Sequence, residues 1–305
     1  MDSEEISVNK MIGIFRTSLE NSYSRREIMQ LIYTLFAEYL DWPKTKIHLE
    51  PEYLIPAGKI PYFYQALQDL IGRKPIQYII GKSWFNGKEY IVNTDVLIPR
   101  PETEELCELI FNENNQDQYR NLTILDIGTG TGCIAIDLKL KFPYAKILGV
   151  DKSPAALLIA GKNGEHISTE IDFMELDILD PGRWGKLSGY DIIVSNPPYV
   201  LESEKEMMDV KVREYEPAAA LYVPDLDPLK FYTAICGFAA KHLTHSGKLY
   251  VEINERFGKE TVALIKKFGF DKVALFKDSF GKERFIRAVA TTSVLDISYW
   301  YADKQ

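Results

Sequence analysis

Cysteine is scarce in this chain. Its 305 residues hold three, Cys107, Cys133 and Cys236, far apart in sequence. An odd, scattered set argues against a disulfide framework. Histidine is almost as scarce. The four present, His48, His166, His242 and His245, form no metal-ligand spacing with the cysteines. His242 and His245, three apart near an expected helix end, read as a cap or a surface pair, and no metal is expected. Long apolar runs are missing too, since none approaches the roughly 18 residues of a membrane helix. The opening "MDSEEISVNK" lacks the basic start and apolar centre of a secretory signal. A cytoplasmic protein without membrane contact is expected. Positive charge is in deficit, with 36 Lys and Arg against 44 Asp and Glu, a net −8. Long nucleic acid is held mainly by Lys and Arg on phosphate, so direct nucleic-acid binding is not expected, although a local basic groove is compatible with the net charge.

What is present reads as a globular protein of one large or two ordinary domains. The first 80 residues read as helices. Ser24-Arg25-Arg26-Glu27 has the form of a capping box, and Ile28, Leu31, Ile32, Leu35, Phe36, Tyr39 and Leu40 follow at helical spacing before Pro43. An earlier helix is expected over 5–20 and a third from about Pro61 to Ile71. Residues 1–82 carry 10 basic and 10 acidic side chains, so the acidity belongs to the rest of the chain. Asn86-Gly87, between Trp84-Phe85 and Tyr90-Ile91-Val92, signals a β-hairpin. The expected organisation is a helical domain over 1–82, a hairpin linker over 83–98, a larger domain over 99–290 and a tail over 291–305 with no assigned role.

From about residue 100, strands and helices alternate. Strands are expected near Thr123–Asp126, Lys146–Val150, Asp172–Glu175, Ile192–Val194, Lys248–Ile253, Lys272–Phe276 and Arg284–Ala290. Ser153-Pro154 and Asp227-Pro228 look like helix starts. Alternation of this kind means an α/β fold with a doubly wound, mostly parallel, seven-stranded sheet. The last two strands are separated only by "KDSFGKE", too short for a helical crossover, so the last strand must be antiparallel.

Two features at expected strand ends carry chemistry. "LDIGTGTGCIAI" runs from a strand through Gly128-Thr129-Gly130-Thr131-Gly132 into a helix. Glycines there permit a tight turn and close approach of a ligand. The spacing misses the dinucleotide pattern by one residue, at Cys133, and no triphosphate-binding loop is present. Asp151 ends the next strand about 20 residues on, where doubly wound folds place a carboxylate on ribose hydroxyls. Two tight turns and nothing more would also account for these residues. The second feature, Asn196-Pro197-Pro198-Tyr199, ends the fourth strand. It resembles the Asn/Asp-Pro-Pro-Tyr motif of amino-methyltransferases, which implies as target a planar amino group that donates two protons in one plane. The Asn196 side-chain oxygen and the Pro197 backbone carbonyl could accept them, and Tyr199 could lie on the plane. A plain strand-ending turn is the alternative.

Together, "KPIQYIIG", "FNGKEYIVNTDVLIPRPETEEL", "LDIGTGTGCIAI" and "VSNPPY" resemble the release-factor glutamine methyltransferases (the PrmC/HemK family), within the class I S-adenosylmethionine-dependent methyltransferases. "VREYEPAAAL" and "DPLKFY" extend the resemblance, which covers about residues 20–290. It implies a small helical substrate-recognition domain and a methyltransferase domain. It also implies S-adenosylmethionine as cofactor, S-adenosylhomocysteine as product, and class 1 peptide chain release factors as partners, methylated on the glutamine of a Gly-Gly-Gln motif. Carried onto this chain, Gly128, Thr129, Gly130, Thr131 and Gly132 would hold the methionine part and Asp151 the ribose. Trp184 would pack on the adenine, and Asn196 would touch cofactor and substrate. The loop from Pro99 to Thr103 would close over the site, with Arg100, Glu102 and Thr103 as candidates; Arg100 and Glu102 could instead simply pair. Asp126 and Asp177 are further candidates. The helix end "AGKNGEH" departs from the family pattern and reads as structural. A monomer is expected. Three rival readings stay open: a glutamine methyltransferase acting on a large-subunit ribosomal protein, a DNA adenine methyltransferase, and a non-catalytic module retaining the fold.

Overall fold

The computed structural model describes residues 5–187 and 189–291, so the tail expected over 291–305 lies outside it from 292 on. The described chain divides into two compact units, Met1–Gly81 with Asp209–Tyr215, and Lys82–Met208 with Glu216–Gln305. No helix among the described residues is long and apolar enough to cross a membrane.

The first unit is helical: Val8–Leu19, Arg25–Leu40, Lys44–Leu49, Ile60–Ile71 and Ile76–Ile80. The capping box at Ser24 is formed. Its backbone N–H donates to Glu27 Oε2 at 2.8 Å, and Glu27 N–H donates to Ser24 Oγ at 3.3 Å. Met11, Phe15, Ile32, Phe36, Phe63 and Leu67 meet in its core, where the helical periodicity places them. A sixth helix, Val210–Tyr215, joins from far along the chain. Tyr215 donates its hydroxyl to Gly72 O at 2.6 Å, and Lys211 Nζ stands 4.7 Å from the centre of the Tyr23 ring.

The second unit opens with an antiparallel hairpin, β1 (Lys82–Phe85) and β2 (Lys88–Ile91). Asn86 and Gly87 turn it at φ 44° and 71°, both in the left-handed region that matches the strand twist. Phe85 and Tyr90 are buried in this unit's core. A sheet of seven strands follows: β3 (Thr123–Ile127), β4 (Lys146–Asp151), β5 (Asp172–Glu175), β6 (Tyr190–Ser195), β9 (Leu243–Glu252), β10 (Asp271–Lys277) and β11 (Glu283–Val289). Two short strands, β7 (Val200–Leu201) and β8 (Tyr222–Val223), pair with each other outside it. The sheet order is β10-β11-β9-β6-β3-β4-β5. All pairs from β9 to β5 are parallel, and the last strand, β11, runs antiparallel to both its neighbours.

Side chains alternate across the sheet and build a core on each face. Leu125, Ile127, Ile193, Leu249 and Val251 point one way. Ile124, Ile192, Val194 and Tyr250 point the other. The helix after β4 starts as its sequence dictates, with Ser153 Oγ accepting from Ala156 N–H at 3.2 Å and Pro154 in the first turn. Asp227-Pro228 instead makes a turn, and the helix begins at Lys230. The chain runs outward from β3 through β4 to β5, then returns to β6 on the other side of β3. That reversal opens a crevice at the carboxyl ends of β3 and β6, the place where ligands bind in such sheets.

Candidate active site

A cleft of about 900 Å³, part of it open to solvent, occupies that crevice. Ile127 ends β3 and Gly128 follows it, Asp151 ends β4, and Ser195 ends β6 with Asn196, Pro197 and Pro198 after it; all line the cleft. Most of the remaining wall is apolar, including Leu176, Ile178, Phe231 and Ile235.

The β3–β4 side is held by backbone donors. Asp151 Oδ2 accepts from Gly130 N–H at 3.0 Å and Oδ1 accepts from Ser153 N–H at 2.9 Å. Each oxygen keeps a lone pair, so the carboxylate can still accept from hydroxyls in the cleft. Gly128, Gly130 and Gly132 have φ of 74°, 53° and 79°. A Cβ on Gly128 would meet nothing within 4 Å, so the space above it is open to a ligand. Thr129 and Thr131 are buried beneath the loop. The Thr129 hydroxyl donates to Asp126 Oδ2 at 2.6 Å, and Thr131 O accepts from Asn163 Nδ2 at 2.9 Å. Gly132 is the N-cap of the helix Cys133–Lys141. Thus Gly128, Gly130, Asp151 and Asp177 reach the cleft, whereas Thr129, Thr131, Gly132 and Asp126 shape the loop from below. Burial pushes the Asp126 carboxyl up to about 7, against the Thr129 hydrogen bond that lowers it.

The β6–β9 side is held by side chains. Asn196 Nδ2 donates to Thr103 Oγ1 at 3.0 Å. Thr103 Oγ1 donates to Glu252 Oε2 at 2.8 Å. The Tyr199 hydroxyl donates to the other oxygen of Glu252 at 3.0 Å. Asn254, two residues after Glu252 and so on the same side of an extended chain, donates from Nδ2 to Tyr199 O at 3.1 Å. Glu252 is 1 % exposed, and burial raises its carboxyl to about 7. Burial also raises the Tyr199 hydroxyl.

One expectation is corrected, one alternative falls and one candidate lies away from the cleft. Pro99–Thr103 is not a loop throughout, because Pro101 starts the helix Pro101–Asn114 and Thr103 is buried in its first turn. Arg100 does not pair with Glu102. It donates at 2.6 Å to Glu216, whose other oxygen accepts from Ile98 N–H at 3.4 Å. Trp184 is not brought to the cleft wall. It is 2 % exposed and lies edge-on to Phe238, ring centres 5.4 Å apart, where its large apolar surface is fully covered.

Several residues that matter were missed. Glu252 interrupts the apolar run Leu249-Tyr250-Val251 with a carboxylate, a placement that needs partners and could have marked it. Glu216 gives no such signal. Asn163, in "AGKNGEH", is fully buried and clamps the hairpin, accepting from Ile91 N–H at 2.7 Å and donating to Ile91 O at 3.0 Å.

Comparison with known proteins bears directly on this site. Residues 17–81 match the family model "PrmC N-terminal domain" and residues 108–218 match "Methyltransferase small domain". A release factor glutamine methyltransferase of Flavobacterium psychrophilum is 40% identical over 274 residues, 90% of this chain and 95% of that protein. One of Bacteroides thetaiotaomicron is 40% identical over 92% of this chain and 99% of its own length. The chain belongs to the release factor glutamine methyltransferase family. Among solved structures, a release-factor-specific protein-(glutamine-N5) methyltransferase of Alicyclobacillus acidocaldarius is similar over 66% of this chain and 99% of its own, with 24% identity and a TM-score of 0.41. In this member of the release factor glutamine methyltransferase family, Asn196, Pro197 and Pro198 share a single cleft with Gly128 and Gly130, whereas Tyr199 does not lie flat in it but packs on the core and turns its hydroxyl to Glu252.

Proposed function

We propose that this chain transfers a methyl group from S-adenosylmethionine to the side-chain amide nitrogen, N5, of the glutamine in the Gly-Gly-Gln motif of class 1 peptide chain release factors. The observation that carries the reading is the polarity of Asn196 at the cleft wall. Its Nδ2 is committed to Thr103, so Oδ1 is the end of the amide with no donor among the described residues.

The residues present fit the cofactor. The open space above Gly128 admits the methionine part, and Asp151, already braced by two backbone N–H groups, retains acceptor capacity for ribose hydroxyls. Leu176 and Ile178 offer an apolar wall for the adenine. When bound, S-adenosylmethionine supplies a sulfonium methyl group and leaves as S-adenosylhomocysteine.

An amide nitrogen is a poor nucleophile because its lone pair is delocalised into the carbonyl. Asn196 Oδ1 and the Pro197 carbonyl accept its two protons and so fix both its position and its orientation. Pro197 and Pro198 restrict the backbone, and Pro198 brings no competing N–H. Holding the nitrogen in line with the methyl group supplies the greater part of the rate enhancement. The same two acceptors polarise the N–H bonds as positive charge builds on nitrogen. The surplus proton leaves from the strongly acidic methylated amide, and no histidine or cysteine lines the cleft among the described residues. Residues 1–82 serve as the substrate-recognition part.

The test is to incubate the protein with S-adenosylmethionine and recombinant release factor and map peptides by mass spectrometry. One added methylene mass on the Gly-Gly-Gln glutamine is the expected result. Modification of a large-subunit ribosomal protein instead, with none on the release factor, overturns the substrate assignment.

A further inference from the structure

We infer that Glu252 is a positioning residue: acting through Thr103, it sets which end of the Asn196 amide faces the cleft, and its protonation turns that amide over. The inference rests on the proposed role of Asn196 and deepens it. Glu252 touches neither the cleft nor any reacting atom.

The argument is one of donor and acceptor count. An ionised carboxylate only accepts hydrogen bonds. Glu252 Oε2 is 2.8 Å from Thr103 Oγ1, so the threonine hydroxyl must spend its single proton there. Thr103 Oγ1 can then only accept from its other neighbour, Asn196, 3.0 Å away. Hence Asn196 turns its NH2 to Thr103 and its oxygen to the cleft. Protonated Glu252 reverses the chain. It can donate to Thr103, freeing the threonine proton for Asn196 Oδ1, and the amide then presents NH2 to the cleft. A donor cannot receive a substrate amide's protons, so that state is inactive.

The surroundings leave Glu252 able to switch. Tyr199 donates to Oε1, and the Tyr232 hydroxyl donates to the Glu252 backbone carbonyl at 3.0 Å. Arg284 faces the group and favours its charged form, while Glu102 disfavours it. Arg284, though, is engaged by Asp278, with Nε 3.2 Å from Oδ2. Glu252 therefore has no salt bridge of its own among the described residues; its direct side-chain partners are the Thr103 and Tyr199 hydroxyls, with Arg284 acting on it without an ion pair. Buried this way, its carboxyl is raised to about 7, inside the range where the enzyme would work.

The wild type and the Thr103→Val, Thr103→Ser and Glu252→Gln variants test this. Methyl transfer to release factor is measured across pH, alongside the 15N side-chain amide signal of Asn196 in the free protein. Wild-type kcat should fall on the acid side with a midpoint near 7. Thr103→Val should lower kcat on the order of 10- to 100-fold with KM little changed, because the amide is no longer held. Thr103→Ser keeps the hydroxyl and should recover wild-type kcat to within about threefold. Glu252→Gln can satisfy Thr103 in either sense, so it should lose the acid limb and run at a lower, pH-independent rate. The Asn196 signal should titrate with the wild-type midpoint and stay still in Glu252→Gln. Wild-type kcat in Thr103→Val, an acid limb that survives in Glu252→Gln, or an Asn196 signal that does not move would each overturn the inference. A wild type that never methylates release factor would sink the substrate assignment instead, and the amide titration in the free protein would still decide this one.

Discussion

The two sides of the cleft are made of different material. At the ends of β3 and β4, Asp151 is fixed by two backbone N–H groups, from Gly130 and Ser153. At the ends of β6 and β9, Asn196, Thr103, Glu252 and Tyr199 are joined side chain to side chain. Both sides contain a buried carboxylate with a threonine hydroxyl on it, Asp126 with Thr129 and Glu252 with Thr103. In the first, the threonine lies three residues on, in the loop that follows β3, and the other hydrogen bond to Asp126 comes from the Ala135 backbone. In the second, the threonine comes from another helix and passes its polarity on to Asn196. A backbone cradle is set by φ and ψ and holds one shape. A side-chain relay holds a shape only while each member keeps its rotamer and proton.

The largest effect expected separates the two sides by kinetic parameter. Asn196→Ala should lower kcat on the order of 10²- to 10³-fold, the loss usual for removing one group that stabilises a transition state. Cofactor affinity, read by calorimetry, should change far less. Asp151→Asn should do the opposite. It should weaken S-adenosylmethionine binding on the order of 10- to 100-fold, the worth of hydrogen bonds to a charged acceptor, and leave kcat at saturation nearly intact. If Asn196→Ala were to lose cofactor affinity and keep turnover, the division of labour drawn here would be wrong.

A second test uses the two buried carboxylates without any ligand. Each is raised to about 7, from ordinary values of 3.8 for Asp126 and 4.5 for Glu252. An acid whose folded pKa is raised binds more protons folded than unfolded between those limits. Its stabilising share is complete below the ordinary value and is lost as pH rises to about 7. Glu252→Gln and Asp126→Asn should therefore each gain on the wild type as pH rises from about 5 to 8, by on the order of 2 kcal/mol in denaturant titrations. Only Glu252→Gln should also alter the acid limb of activity. A gain that did not grow with pH would show that the group is already charged at pH 5.

The same contrast explains how much could be read from the sequence. The glycine loop and Asp151 lie within one βαβ unit, and their spacing is a local property of the chain, so they were legible before any coordinates. The buried strands β3, β4 and β6 are legible for a similar reason, because each announces itself in five or six consecutive residues. The relay could not be read that way. Thr103 meets Glu252 across 149 residues and Asn196 across 93, and no local pattern encodes a contact that the tertiary fold creates. Thr103 stands out in the sequence only through resemblance to a family motif. Trp184 shows the converse: a residue matched by resemblance whose environment, a close fit against Phe238, keeps it in the core.

The smallest effect tests the backbone side on its own terms. Gly128 sits at φ 74°, and a Cβ there would meet no atom within 4 Å. Conformational strain alone, with no clash, should make Gly128→Ala unfold earlier, by about 1 kcal/mol. Asparagine tolerates the left-handed region better than alanine despite its greater bulk. Gly128→Asn should then be the more stable of the two variants in the free protein, although both would intrude on the cleft and weaken the cofactor. The reverse order in denaturant midpoints would mean that space, not backbone conformation, fixes glycine at this position. The cradle would then depend on side-chain packing in the same way as the relay it faces.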